Sequence, residues 1–213
     1  MPRVIQVKAA KAVPIPRKCR RCGHEIQPGE PYKWFKARYR PPVYYCQAHN
    51  PRPSELTTSD KLATLYGAQE GVEDDLQAFS DGKITIEDLT SSLESAADEV
   101  GGVADEYEES ASNMEEYFPS SAQVDEIREK GEAATEFAEA LREAARAIET
   151  LAAEQESLTE RLASLDPEGN LPDELATLYD DDFNTREAIQ ERLDAITGEV
   201  TSQAEEALAS LSI

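Results

Sequence analysis

The chain has 213 residues, and 44 Asp and Glu outweigh 21 Lys and Arg to give a formal charge of −23. That length suits one medium domain or two small ones. No stretch of 18 apolar residues occurs, and Met1-Pro2-Arg3-Val4 lacks the apolar core of a secretion signal, so neither a membrane span nor export is expected and a reducing cytoplasm is the expected setting.

The charge is segregated. Residues 1–53 hold 12 Lys and Arg against only Glu25 and Glu30, a net of +10, which leaves −33 for residues 54–213. Two modules with different partners, or two that partner each other, follow from such a split.

In chain order, Val4–Lys8 reads as a short strand before an Ala/Lys/Pro linker. Cys19-x-x-Cys22 and Cys46-x-x-His49 then use all three cysteines in one four-ligand set, with 23 residues between the pairs. A two-residue gap lets both side chains of a pair converge on one ion, and a Cys3His set suits tetrahedral zinc. Four protein ligands leave no open position for a reactive water, so the expected ion is a single structural Zn2+. Free or redox-active thiols are the alternative. A redox Cys-x-x-Cys usually sits on a strand-to-helix turn, however, whereas Cys19 follows Pro14, Pro16 and a basic run. A disulfide would leave one cysteine over. His24 is too close to Cys22 to join it on a tetrahedron and is expected to face solvent, while Gly23 suits the left-handed residue of a tight metal knuckle.

Pro28-Gly29 marks a turn, and Pro41-Pro42 separates Tyr32–Lys36 from Val43–Cys46, so the region between the ligand pairs reads as a β-hairpin with a knuckle at each end. On Cys19-Arg20-Arg21-Cys22-Gly23-His24 and Cys46-Gln47-Ala48-His49, residues 17–50 resemble zinc-ribbon and treble-clef modules. Pro51 and Pro53 allow only a short turn where a treble clef would open a helix. Six of the chain's 14 aromatic residues fall in the hairpin, interleaved with cations. Rings that stack on unpaired bases beside cations that track phosphates would make this a nucleic-acid surface, with Arg17, Lys18, Arg20, Arg21, Lys33, Trp34, Lys36, Arg38, Tyr39 and Arg40 as its contacts. Docking on an acidic protein surface is the competing expectation, and several of the rings must in any case build the small core.

Beyond the module the pattern turns helical. Leu62, Leu65, Val72, Leu76 and Phe79 form a stripe interrupted by Gly67 and Gly71. Ser80–Asp88 has the look of half a calcium loop, but Gln77 and Phe79 stand where ligand oxygens belong, so it reads as a turn. From Ile86, apolar or small residues recur three and four apart at Leu89, Leu93, Ala96, Val100, Val103, Tyr107, Ser110, Met114 and Tyr117/Phe118, the spacing of a coiled-coil seam. Thr85 and Asp88 form a capping pair and Pro119 stops the helix. A second seam runs through Val124, Ile127, Gly131, Ala134, Phe137, Leu141, Ala144/Ala145, Ile148, Leu151, Gln155, Leu158, Leu162 and Leu165. At about 1.5 Å per residue the two helices span roughly 50 and 65 Å, and the short turn between them makes an antiparallel hairpin. Leu175 and Leu178, then Ile189 to Leu211, supply a further stripe, with a break at Asp180–Asp182 and a new cap at Asn184 or Thr185. Alanine-rich seams bury little area, which leaves a homo-oligomer open.

The expected fold is therefore mainly α: a small N-terminal β-hairpin zinc module followed by long antiparallel coiled-coil-like helices in a bundle. The expected divisions are 1–53, the basic zinc module; 54–84, a linker and short helix; and 85–213, the acidic hairpin and bundle. Between Lys83 and Arg128 none of 44 residues is basic and 13 are acidic. A solvated face, masking of the basic module and mimicry of nucleic-acid charge all fit that run. With two histidines and no phosphate-cradling glycine loop, no enzyme is expected.

Glu106–Phe118 with Val124–Lys130 resembles a helical-hairpin segment of uncharacterised bacteriophage proteins, particularly from phages of actinobacteria, and the N-terminal metal pattern is similar to small zinc modules of such genomes. The resemblance implies an origin, with the host cytoplasm or the virion as location, and no activity. The reading is a zinc-binding adaptor or regulator. Its basic module contacts nucleic acid or an acidic protein surface, and its acidic helices bind a protein partner or a second copy. An acidic inhibitor that mimics nucleic acid, or a virion assembly factor, is the alternative.

Overall fold

The computed structural model describes residues 2–11, 17–37, 40–165 and 185–211. The expected Leu175/Leu178 stripe, the Asp180–Asp182 break and the Asn184 cap lie outside the described residues, as do Arg38 and Tyr39. The chain divides into two compact units, Met1–Gly67 and Ala68–Ile213.

In the first unit, β1 (Ile5–Val7), β4 (Tyr32–Phe35) and β5 (Val43–Cys46) form an antiparallel sheet in the order β1-β4-β5, and β2 (Arg17–Lys18) pairs with β3 (Glu25–Ile26) as a separate two-stranded ribbon. The hairpin register sets Trp34 against Tyr44 and Tyr32 against Cys46. Pro28-Gly29 makes the expected turn: Gly29 is left-handed at φ 92° and its N–H donates to the Ala10 carbonyl at 2.8 Å. Because side chains alternate across a strand, the sheet divides its apolar residues between two small clusters. Tyr32, with Trp34 and Tyr44 beside it, packs on Ala10 and Ile26. Phe35 and Tyr45 pack with Cys19 and, at the margin, Leu56. Neither cluster is large, and a core this small needs a further constraint to hold it. The short helix α1 (Pro53–Leu56) follows, with proline in its first turn and the Glu55 carboxylate accepting from the Arg52 N–H at 2.9 Å.

The division between the units falls within α2 (Asp60–Ser80). The second unit contains the later turns of α2 with α3 (Ile86–Tyr117), α4 (Ala122–Ser164) and α5 (Arg186–Ala209). Asp81–Lys83 is the expected turn, with Gly82 at φ 68° and the Lys83 N–H closing on the Ala78 carbonyl. Thr85 and Asp88 exchange both capping bonds at the start of α3, and the Thr185 hydroxyl caps α5 by accepting from the Ala188 N–H. The α3–α4 hairpin is antiparallel: Glu115 pairs with Arg128 near the turn, Tyr107 faces Gly131, and Asp98 meets Arg142 further along. Next, α5 returns along α4, fastened where Arg192 donates two bonds to the Glu154 carboxylate, at 2.7 and 2.8 Å, and a further pair to Glu199. The Ser92 hydroxyl on α3 donates to Asp75 on α2, and Leu76 and Ser80 of α2 share a groove with Thr201 and Leu208 of α5. Among the described residues, no helix is long and apolar enough to cross a membrane.

The seam of α3 holds from Ile86 to Tyr107 and then shifts. Ala111 is buried in place of Ser110 and Met114, while Tyr117 and Phe118 are 73% and 65% exposed. A straight helix gains about 20° per heptad on a 3.5-residue repeat, so a strict seam extrapolated over 32 residues leaves the contact face. The buried positions Ala97, Ala104 and Ala111 show the stripe widening as it does in a globular bundle. On α4, Gln155, also expected in the seam, is exposed.

Candidate metal centre

Backbone geometry assembles the ligand pairs before any ion is considered. The Cys19 N–H donates to the His24 carbonyl at 2.8 Å and the Gly23 N–H returns to the Cys19 carbonyl at 3.0 Å, which folds residues 19–24 into a knuckle on the β2–β3 ribbon. Gly23 sits at φ 71°, the left-handed region where a Cβ is strained. The second pair opens at the end of β5, where the His49 N–H donates to the Cys46 carbonyl at 3.1 Å. A 2.8 Å bond from the Arg20 N–H to the Tyr44 carbonyl joins the first knuckle to β5.

The result is the expected set: one donor atom from each of Cys19, Cys22, Cys46 and His49 lies within 4.8 Å of all the others. Cys22 Sγ is 3.9 Å from Cys46 Sγ, and Cys19 Sγ is 3.7 Å from His49 Nδ1. For ligands about 2.3 Å (sulfur) and 2.0 Å (nitrogen) from a tetrahedral ion, the edges come to roughly 3.8 and 3.5 Å. Cys46 Sγ to His49 Nδ1 is tighter, at 3.1 Å. Nδ1 is thus the ring nitrogen turned to the thiols. The soft, borderline donor set and its edge lengths fit a four-coordinate metal ion.

Burial raises the Cys19 thiol, but the N–H groups of Cys22 and Cys46 and the two neighbouring thiols outweigh it and bring its pKa down to about 7. Cys46 moves the opposite way, raised first by burial and then by its bond with Cys19. His24 stands apart, exposed as expected, with Nε2 3.0 Å from Glu30 Oε2. That carboxylate also accepts from the Gln27 N–H, which together with His24 holds its pKa below the usual range.

Of the ten residues expected to contact a partner, the eight that are described do not form one surface. Lys33 is buried: its ammonium donates to the Gln47 carbonyl at 2.9 Å, the His49 carbonyl at 3.2 Å and Asn50 Oδ1 at 2.6 Å, so it holds the second knuckle instead of facing outward. Arg17 lies over the rings of Tyr32 and Tyr44 at 5.0 and 5.6 Å. Trp34 is partly buried against the Tyr32 cluster, and Lys18 pairs with Glu25 at 3.3 Å. Arg20, Arg21, Lys36 and Arg40 are exposed, and Arg20 and Arg40 are brought to the rim of one cavity. Sequence reasoning missed that cavity and the roles in it of Tyr45, Glu55 and Thr57. The only local signal was Pro53-Ser54-Glu55, a helix start that brings Glu55 and Thr57 close after the second knuckle.

No protein-family model matches the chain, and neither a curated protein nor a solved structure matches it.

Proposed function

We propose that Met1–Gly67 is a structural zinc module that binds the phosphates of single-stranded nucleic acid through exposed arginine and lysine, and that the helical unit provides protein contacts, to a partner or to a second copy. The carrying observation is that Arg20, Arg21, Lys36 and Arg40 are exposed and make no ion pair among the described residues, on a knuckle-and-hairpin frame where Arg17, Lys18 and Lys33 are internally engaged. Exposed cations without an ion-pair partner on a small rigid frame suit a polyanion. In this reading the ion is Zn2+, closed off by four protein ligands, and the protein is an adaptor and not an enzyme. A bacteriophage origin belongs to the proposal on the strength of the hairpin resemblance alone.

Single strand is favoured over duplex because, among the described residues, the one helix that lies wholly within the module, α1, has only four residues and cannot fill a groove. Fluorescence anisotropy of a labelled single-stranded oligonucleotide, titrated with the zinc-loaded full chain across a salt series, tests the reading. Affinity should fall steeply with salt, and Arg20→Gln, Lys36→Gln and Arg40→Gln should each lower the slope by about one. A salt-independent response, or slopes unmoved by all three substitutions, overturns it.

A further inference from the structure

The sheet leaves little aromatic face for a base. Tyr32, Phe35 and Tyr45 are buried, and Trp34 and Tyr44 pack against the Ala10–Ile26 cluster with Arg17 lying over the Tyr44 ring. A base held by this module needs a slot elsewhere. Within the first unit a cavity of about 430 Å3 is lined by Arg20, Arg40, Phe35, Tyr45, Glu55 and Thr57, among others. Ligand pockets run from about 300 to 1,000 Å3, so this one suits a single small molecule or one unit of a polymer.

Three features of the lining constrain what enters. Arg20, from the first knuckle, and Arg40, from the β4–β5 loop, bring two guanidinium groups to one opening, and their planar forks of donors match phosphate oxygens. The apolar part of the lining is formed by Phe35, Val43 and Pro41. Tyr45 is among the lining residues; its side chain is fully buried in the cavity floor, and its hydroxyl makes no full hydrogen bond among the described residues. Burial, and then a hydrogen-bonding interaction with the Glu55 carboxylate, push its pKa up, so that carboxylate sits beside the hydroxyl although the pair falls short of full hydrogen-bond geometry. A buried hydroxyl left without a partner is costly, and a ligand that supplies one removes the cost. An inorganic anion would account for the arginines alone, and an apolar molecule for the wall alone.

We propose that this cavity is a pocket for one nucleotide, with the base against the apolar wall and its edge meeting Tyr45 and Glu55, and the phosphate held by Arg20 and Arg40. The inference rests on the nucleic-acid reading above and deepens it, since the nucleotide is one unit of the bound strand. Glu55 offers only acceptors when ionised, which favours a base edge carrying an amino group.

The test is an amide-resolved NMR titration of the zinc-loaded full chain with 5′-AMP, and separately with adenosine and with inorganic phosphate. 5′-AMP should shift the amides of Arg20, Tyr45, Thr57 and Thr58 saturably, and each half-molecule should bind about ten-fold more weakly or worse. Arg20→Ala and Arg40→Ala should each weaken 5′-AMP about ten-fold. Tyr45→Phe should weaken it while leaving the thermal midpoint unchanged or higher, because the hydroxyl it removes makes no full hydrogen bond among the described residues. That pair of effects separates a ligand contact from a merely structural side chain. Inorganic phosphate binding as tightly as 5′-AMP, or those four amides unmoved at millimolar 5′-AMP, overturns the proposal. If the oligonucleotide still binds with salt dependence while 5′-AMP moves nothing, the pocket falls and the broader reading stands; if neither binds, both fall.

Discussion

The Arg20 N–H donates to the Tyr44 carbonyl at 2.8 Å, and this bond fixes the first metal knuckle two residues upstream of Cys46 in β5. Strand pairing cannot do this, because the first knuckle belongs to the β2–β3 ribbon and the second to the β1-β4-β5 sheet. Two separate pieces of sheet are thereby held so that four ligand atoms converge.

Convergence without an ion is unfavourable, since thiolates repel and bare thiols bury little area. If the ion is the proposed Zn2+, its removal by a chelator should therefore unfold the first unit and spare the second. Trp34, the only tryptophan, lies in β4 and reports on that unit, whereas most of the helix lies in Ala68–Ile213. Expected are one zinc released per chain, a large change in tryptophan emission and a far-UV dichroism signal that keeps most of its amplitude. Structural zinc contributes about 10–16 kcal/mol of apparent binding free energy in small modules, far more than two clusters of this size supply. The ligands bind deprotonated, so zinc affinity should fall as pH falls, because protons then compete for the same sulfurs. A stoichiometry other than one, or an emission spectrum indifferent to the chelator, contradicts the assignment.

Lys33 tests whether the second knuckle depends on a buried cation. Its ammonium satisfies two carbonyls and the Asn50 side chain around His49, so Lys33→Met leaves three oxygens without their donor. Each orphaned group costs about 1–3 kcal/mol, and loss of support behind metal ligands typically lowers affinity about 10- to 100-fold. Competition with a zinc dye should show weaker binding in Lys33→Met. In the zinc-saturated variant, oligonucleotide affinity should keep the wild-type salt slope, because the ammonium is not at the surface. A slope lowered by one would return Lys33 to the contact surface.

The metal set was legible because its chemistry is local: two short spacings, three cysteines and a histidine admit few other arrangements. Capping was legible for the same reason, since Thr85 needs only Asp88 three residues on and Thr185 only the Ala188 N–H. The β2–β3 ribbon escaped notice because strands of two residues carry no alternation to read. Lys33 escaped because burial of a lysine depends on carbonyls 14 and 16 residues away, supplied by a turn the hydropathy pattern does not encode. In α3 the period was right, but its phase drifted beyond Tyr107.

That drift has a measurable consequence at the hairpin tip. Tyr117 and Phe118 are largely exposed, so replacing both with serine should change stability by no more than about 0.5 kcal/mol per site. Tyr107, only 7% exposed, should cost about 3 kcal/mol or more when truncated to alanine. Urea unfolding followed by helical dichroism distinguishes the two. Equal losses at tip and centre would mean that the seam continues to Phe118 after all.

Two glycines within the same hairpin should respond in opposite directions. Glycine in a helix interior costs about 1 kcal/mol relative to alanine through backbone entropy, so a neutral site gains when it is replaced. At Gly102, on α3, an added Cβ meets nothing within 4 Å, and Gly102→Ala should raise stability by about that amount. At Gly131, on α4, a Cβ would lie 3.3 Å from Tyr107 Cβ and 3.8 Å from the Ala104 carbonyl oxygen, both fixed to the backbone of α3. Valine there adds two further carbons against a surface that cannot withdraw, and overpacking of this kind costs about 1–3 kcal/mol beyond any propensity gained. Gly131→Val should accordingly lower the urea midpoint at an unchanged slope, while Gly102→Ala raises it. Should Gly131→Val prove neutral, α3 and α4 are not in close contact at Tyr107, and the helical unit is looser than its buried alanines imply.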